Sequence, residues 1–152
     1  MNAINVSVGL IVMVCLAVFV ASINQGDANE VIMHKSENCE CCTEWADHLK
    51  KEGGFTVVER VHDNMNEIKK TLGMPEKLAS CHTGVIGGYL IEGHVPAADV
   101  KRLLKEKPDV VGLTAPGMPM KSPGMQKEGL PAKGYDVLAI KGDGSTYVFS
   151  HY

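Results

Sequence analysis

No basic stripe runs along this chain: its 15 Lys and Arg and 18 Asp and Glu are dispersed and leave a net charge of -3. That balance excludes nucleic acid and an anionic membrane surface as main partners, since both select for clustered positive charge. A second core of ordinary size is excluded by length, because 152 residues fill one compact domain. There is no internal repeat, and the first 21 residues carry no charged side chain at all.

That uncharged segment, MNAINVSVGLIVMVCLAVFVA, is nearly all apolar from Val6 to Ala21. It is short for a bilayer span and fits the core of a signal peptide. It has no Lys or Arg ahead of the apolar run, and Val20-Ala21-Ser22 before Ile23 only approximates a small-x-small cleavage site. An uncleaved N-terminal membrane anchor is therefore the alternative, and either reading places the remainder of the chain across a membrane. The expected organisation is a signal peptide or anchor at 1–22, a short polar linker at 23–30 and one domain at 31–152. Cys15 lies inside the apolar run and reads as filler.

The domain keeps four cysteines: Cys39, Cys41, Cys42 and Cys81. Two structural disulfides would be the ordinary reading for an exported chain. The placement argues against it, because three thiols crowd into four positions and the set closes at most one long loop, where a disulfide stabilises most. The crowding suits chemistry better than stapling.

Periodicity predicts a strand at Glu30 to Lys35, then a helix through Cys42, Trp45, Ala46 and Leu49, stopped by Gly53-Gly54 and capped by Asn38. A strand at Phe55 to Val61 and a helix at Asn64 to Leu72 come next. Cys81 to Ile86 and Tyr89 to Glu92 read as a hairpin around Gly87-Gly88, and Pro96 opens a helix buried through Val100, Leu103 and Leu104. This order is the layout of an α/β, thioredoxin-like central sheet with flanking helices, its reactive cysteines lying between the first strand and first helix. Beyond it, the stretch from Val110 to Lys133, with Pro116, Pro119, Pro123 and Pro131, reads as one long irregular loop rich in Met and Pro. A C-terminal β-hairpin, Tyr135 to Ile140 and Ser145 to Phe149, closes the chain. Trp45 and the aromatic tail read as packing.

A thiol in the first turn of a helix faces unpaired N–H groups and the positive end of the dipole, which lowers its pKa. Two chemistries profit. Cys39 and Cys42 make a Cys-x-x-Cys exchange pair, but Cys41 then offers a competing disulfide, whereas a soft-metal site gains a donor. In a thioredoxin-like core the residue preceding the third strand, ordinarily a cis-proline, packs against the reactive cysteines; here Ser80 to Thr83 holds that place without a proline. Cys81 is thus expected beside Cys39, Cys41 and Cys42.

Four thiolates suit zinc as well as Cu(I), and thioethers separate the two because zinc takes them poorly. Met118, Met120 and Met125 sit in the Pro-rich loop, where a core role is least expected; the alternative is a loosely packed loop. His82 joins Cys81 at one metal only if the strand is irregular there, since neighbours on a strand face opposite ways. His94 leaves the fourth strand and can return toward the same end. His48, two turns down the helix from Cys41, is excluded from a shared site. His34 reads as a surface or satisfied core residue, and His62 and His151 carry no functional expectation.

The strand followed by KSENCECCTEWADHL, then SCHTGVIGGYLIEGHVPAADVKRLL and GLTAPGMPMKSPGM, resembles the periplasmic copper-resistance proteins called CopG and their relatives. The resemblance spans about 31–149 and implies a thioredoxin-like fold, a periplasmic location, and binding of several copper ions through the cysteines, with copper redox chemistry. It places the metal ligands on Cys39, Cys41, Cys42 and Cys81, on His82 and His94, and on Met118 and Met125. Glu40 and Asn38 stand where the family usually has glycine and threonine. Neither change removes a donor, though Glu40 sets a carboxylate beside the thiols and opposes their ionisation.

The expected function is a periplasmic Cu(I)-binding protein in copper tolerance. It would hold one or more copper ions in a four-cysteine cluster, with other periplasmic copper-handling proteins as partners. A thiol-disulfide oxidoreductase using Cys39 and Cys42 is the alternative, ahead of a disulfide-stapled domain without ligand and of zinc binding.

Overall fold

The computed structural model describes residues 29–152. The expected signal or anchor segment, and all of the linker but its last two residues, lie outside the described residues.

Seven strands form one sheet in the order β2-β1-β3-β4-β5-β6-β7. They are β1 (Glu30–Lys35), β2 (Thr56–Val61), β3 (Thr83–Ile86), β4 (Tyr89–Gly93), β5 (Gly112–Ala115), β6 (Asp136–Ile140) and β7 (Thr146–His151). β1 pairs with β2, and β4 with β5, in parallel; every other neighbouring pair is antiparallel. The first four strands with their helices make the expected thioredoxin-like core. β5, β6 and β7 widen the sheet beyond it.

Helix α1 (Glu40–His48) continues through a π-helical turn, Leu49–Gly53, and ends at Gly54 in the left-handed conformation. α2 (Met65–Thr71) starts at Asn64, whose side chain accepts the Glu67 N–H. α3 (Ala97–Glu106) starts after Pro96, whose fixed φ suits a helix start. Alternation along the strands supplies two apolar faces. Val31, Met33, Ile91, Leu113 and Ala139 pack against Trp45, Leu49, Val100 and Leu103 of the α1–α3 side. Met74, Leu78, Leu90 and Ile140 form the smaller core on the other side.

Three expectations need correction. The stretch from 110 to 133 is not wholly irregular: Gly112–Ala115 is an interior strand with all four residues buried, and only from Pro116 onward does the chain become a loop. Proline restricts its own position and the one before it, so Pro116 leaves the strand upstream of it free to form. Asn38 does not cap α1. Cys39 holds the N-cap position with no side-chain cap bond, its sulfur being engaged three residues ahead. Finally, β3 begins at Thr83 rather than Cys81, so Cys81 and His82 lie in an irregular turn.

β1, β4 and β5 run the same way, and β3 runs opposite to them. The segments after β1, β4 and β5 and the turn before β3 therefore meet at one end of the sheet. Each carries a residue singled out by the sequence.

Candidate metal centre

Cys39 opens α1, Cys41 and Cys42 fill its first turn, and the turn before β3 delivers Cys81 to the same spot. Cys39 and Cys42 form a disulfide, while Cys41 and Cys81 are free thiols. Cys41 Sγ lies 3.7 Å from Cys39 Sγ and 3.9 Å from Cys81 Sγ. The four sulfurs fall within 4.8 Å of one another. Two-electron reduction of the Cys39–Cys42 bond would leave four thiols within that distance.

Cys81 belongs to a second cluster as well. His82 Nδ1 is 3.2 Å and His94 Nε2 3.1 Å from its sulfur, and the three ligand atoms again lie within 4.8 Å of one another. His82 and His94 are both fully buried. Burial holds His82 well below the usual histidine range, with the neighbouring His94 adding to the effect. Burial lowers His94 too, partly offset by its bond to Pro123. Both rings are thus neutral at pH 7, as metal ligands must be. His94 Nδ1–H donates to the Pro123 carbonyl at 2.7 Å, which fixes the tautomer and leaves the Nε2 lone pair facing Cys81. His82 Nε2 is buried without a hydrogen-bond partner in this structure. Burial, then Cys41, pushes the Cys81 thiol up to about 12, so without metal it keeps its proton.

The scaffold around these groups is tied from several sides. Trp45 packs its ring 4.3 Å from that of His82 and donates its Nε1–H to the Val95 carbonyl at 2.8 Å, joining α1 to the segment after β4. Lys35, at the end of β1, donates to Thr43 Oγ1 at 2.7 Å and pairs with Glu59 at 2.9 Å. The 116–134 loop arches over the centre. Its first foot is Gly117, whose N–H donates to the Ala79 carbonyl at 3.2 Å and whose carbonyl accepts from Ser80 Oγ. Its second foot is Pro123-Gly124, held by His94 and seated on the Cys41 carbonyl.

The structure brings together six of the eight sequence-selected residues: Cys39, Cys41, Cys42, Cys81, His82 and His94. Met118, next after the first foot, is 56 % exposed, with Met120 at 71 %; Met125 is half-buried just past the second foot. His48 lies apart, as expected, and accepts the Ala97 N–H at 3.0 Å. His34 and His62 pair with each other through ring nitrogens 2.8 Å apart. Sequence reasoning missed the Pro123 carbonyl and a buried Glu92–Lys69 pair. For Glu92 the signal was a carboxylate next to the end of an otherwise apolar strand, YLIEG.

The chain is similar to two solved structures titled "Copper resistance protein copG", forms 1 and 2. Form 1 is 40 % identical with a TM-score of 0.75, covering 83 % of this chain and 98 % of its own. Form 2 is 41 % identical with a TM-score of 0.73, covering 81 % and 97 %. Residues 78–125, which hold Cys81, His82, His94 and the first part of the arch through Met125, match the family described as "Protein of unknown function, DUF411". No curated protein sequence matches this one.

Proposed function

Because the chain belongs to the CopG family of copper-resistance proteins, we propose that it is a periplasmic Cu(I)-binding protein in copper tolerance, holding more than one copper ion. The observation that carries this reading is the position of Cys81, whose sulfur is common to the four-cysteine set and to the Cys81, His82, His94 set. A thiolate with ligand groups on both sides can bridge two metal ions. Thiolate sulfur and neutral imidazole match Cu(I) in softness, and Met118 and Met125 on the arch add thioethers that zinc would not use. Export by the N-terminal segment supplies the compartment in this proposal, and other copper-handling proteins there are its partners.

The Cys39–Cys42 disulfide favours one further element. Opened by an external thiol reductant, the pair closes again with loss of two electrons and two thiol protons, enough to reduce two Cu(II) to Cu(I). The same bond supports the second reading, thiol-disulfide exchange through Cys39 and Cys42.

Titration of the reduced protein with Cu(I) against a competing chelator tests the proposal. More than one copper per chain is expected, with affinity lost when Cys39, Cys41 and Cys42 are all replaced by Ser. Saturation below one copper per chain, or affinity indifferent to the triple substitution, ends it.

A further inference from the structure

We propose that Glu92, held by Lys69, is the positioning residue of the copper centre: its carboxylate fixes the turn that presents Cys81 and His82. The inference rests on the copper reading above for its functional consequence. Glu92 is fully buried on β4, and its bonds fall on both sides of the Cys81-His82 pair. Oε1 accepts from the Ser80 backbone N–H at 2.6 Å, and Oε2 accepts from Thr83 Oγ1 at 2.6 Å. Lys69 Nζ, reaching in from α2, donates to Oε1 at 2.6 Å and to Thr83 Oγ1 at 2.9 Å. Ser80 and Thr83 are thereby held to one carboxylate, and the two candidate ligands between them are held with them.

The residue after Glu92 completes the clamp. Gly93 donates its N–H to the His82 carbonyl at 3.1 Å. It takes φ +69°, and a side chain there would collide with Ser80 Oγ and the Ala115 carbonyl. The turn therefore lies directly on β4, and His94, next along, faces Cys81 from the same strand end. An irregular turn has no ladder to set its geometry, so the N–H of Ser80 needs an acceptor supplied from elsewhere.

A merely stabilising role does not explain this choice. Buried ion pairs can often be replaced by apolar residues of similar volume without loss of stability. What an apolar replacement cannot do is accept the Ser80 N–H. The two roles thus separate in paired substitutions. Lys69→Met with Glu92→Gln removes the ion pair but keeps an oxygen for Ser80, whereas Lys69→Met with Glu92→Leu removes both.

Each double variant of the full chain is reduced and titrated with Cu(I) against a chelator, with X-ray absorption reporting nitrogen ligation at copper and circular dichroism reporting the fold. The Gln variant is expected to bind as the parent does. The Leu variant is expected to stay folded, to bind about 10- to 100-fold more weakly, and to lose nitrogen scattering. Parent-like copper binding by the Leu variant overturns the proposal, as does equal weakening of both variants. Amide exchange in the metal-free parent decides the matter even where a variant fails to fold. Strong protection of the Ser80 amide supports the clamp, and exchange at the rate of an open loop refutes it. A parent that binds no copper refutes the functional reading instead, and the Ser80 amide still reports on the clamp.

Discussion

Replacing Gly124 by alanine probes the join between the arch and the cysteine helix. Gly124 has φ +82°, and a Cβ built there falls 2.7 Å from the Cys41 carbonyl oxygen and 2.8 Å from the Trp45 nitrogen. Both are main-chain atoms of α1, so no rotamer change relieves the contact. Two penalties add: roughly 1–2 kcal/mol for an L-residue in the left-handed region, and about 1–3 kcal/mol for forcing atoms into a packed site. The expected loss is about 2–5 kcal/mol. Gly129 provides the control, because it has φ +80° with nothing within 4 Å of its Cβ position; its alanine variant bears the first penalty alone. Urea unfolding of the metal-free protein measures both. The excess for Gly124→Ala is expected to be accompanied by faster exchange of the Gly117 and Lys133 amides as the arch lifts. It should also weaken Cu(I) binding, since lifting the arch withdraws the Pro123 carbonyl from His94. If the two variants differ by less than about 0.5 kcal/mol, the size of an ordinary surface effect, the arch is not seated on α1 as described.

Cys41→Ser separates the two proposed activities. Copper stoichiometry or affinity falls if Cys41 is a ligand, while disulfide reduction by the Cys39 and Cys42 pair is retained; full copper binding with undiminished reduction reverses the preference. Metal-free stability should decline on both sides of neutrality. His82 and His94 stay neutral in the folded chain but protonate near pH 6.5 when unfolded, so stability falls as pH drops below about 6.5. Cys81 keeps its proton in the folded chain up to about 12, whereas an unfolded thiol ionises near pH 8.5, so stability also falls as pH rises past that value; urea midpoints from pH 5 to pH 10 check both limbs. Substituting Leu for both Met118 and Met125 should leave metal-free melting nearly unchanged, because apolar volume is conserved, while copper transfer rates or copper redox behaviour change. A large drop in melting temperature places these methionines in the core instead.

The order of the first four strands and three helices, the crowding of Cys39, Cys41 and Cys42 at a helix start, and the end of that helix at Gly53-Gly54 were all legible in the sequence. They depend on local periodicity and local backbone preference, which neighbouring residues carry. The meeting of Cys81 with Cys41, 40 residues away, came with the inferred core topology. The arch was legible only in part, since four prolines masked the short buried strand that precedes them. What the linear chain does not contain is the direction of side chains in an irregular turn. Whether His82 could stand beside Cys81 depended on where β3 begins, and its first residue, Thr83, is bonded to Glu92 and Lys69 reaching in from β4 and α2. In the same way the tautomer of His94 is set by a carbonyl 29 residues away. The disulfide state of Cys39 and Cys42 was open in the sequence because three thiols stand within four positions, and pairing among them depends on the geometry of the first turn of α1. Local pattern fixed which donors the protein has, and tertiary packing decided which of them face one another.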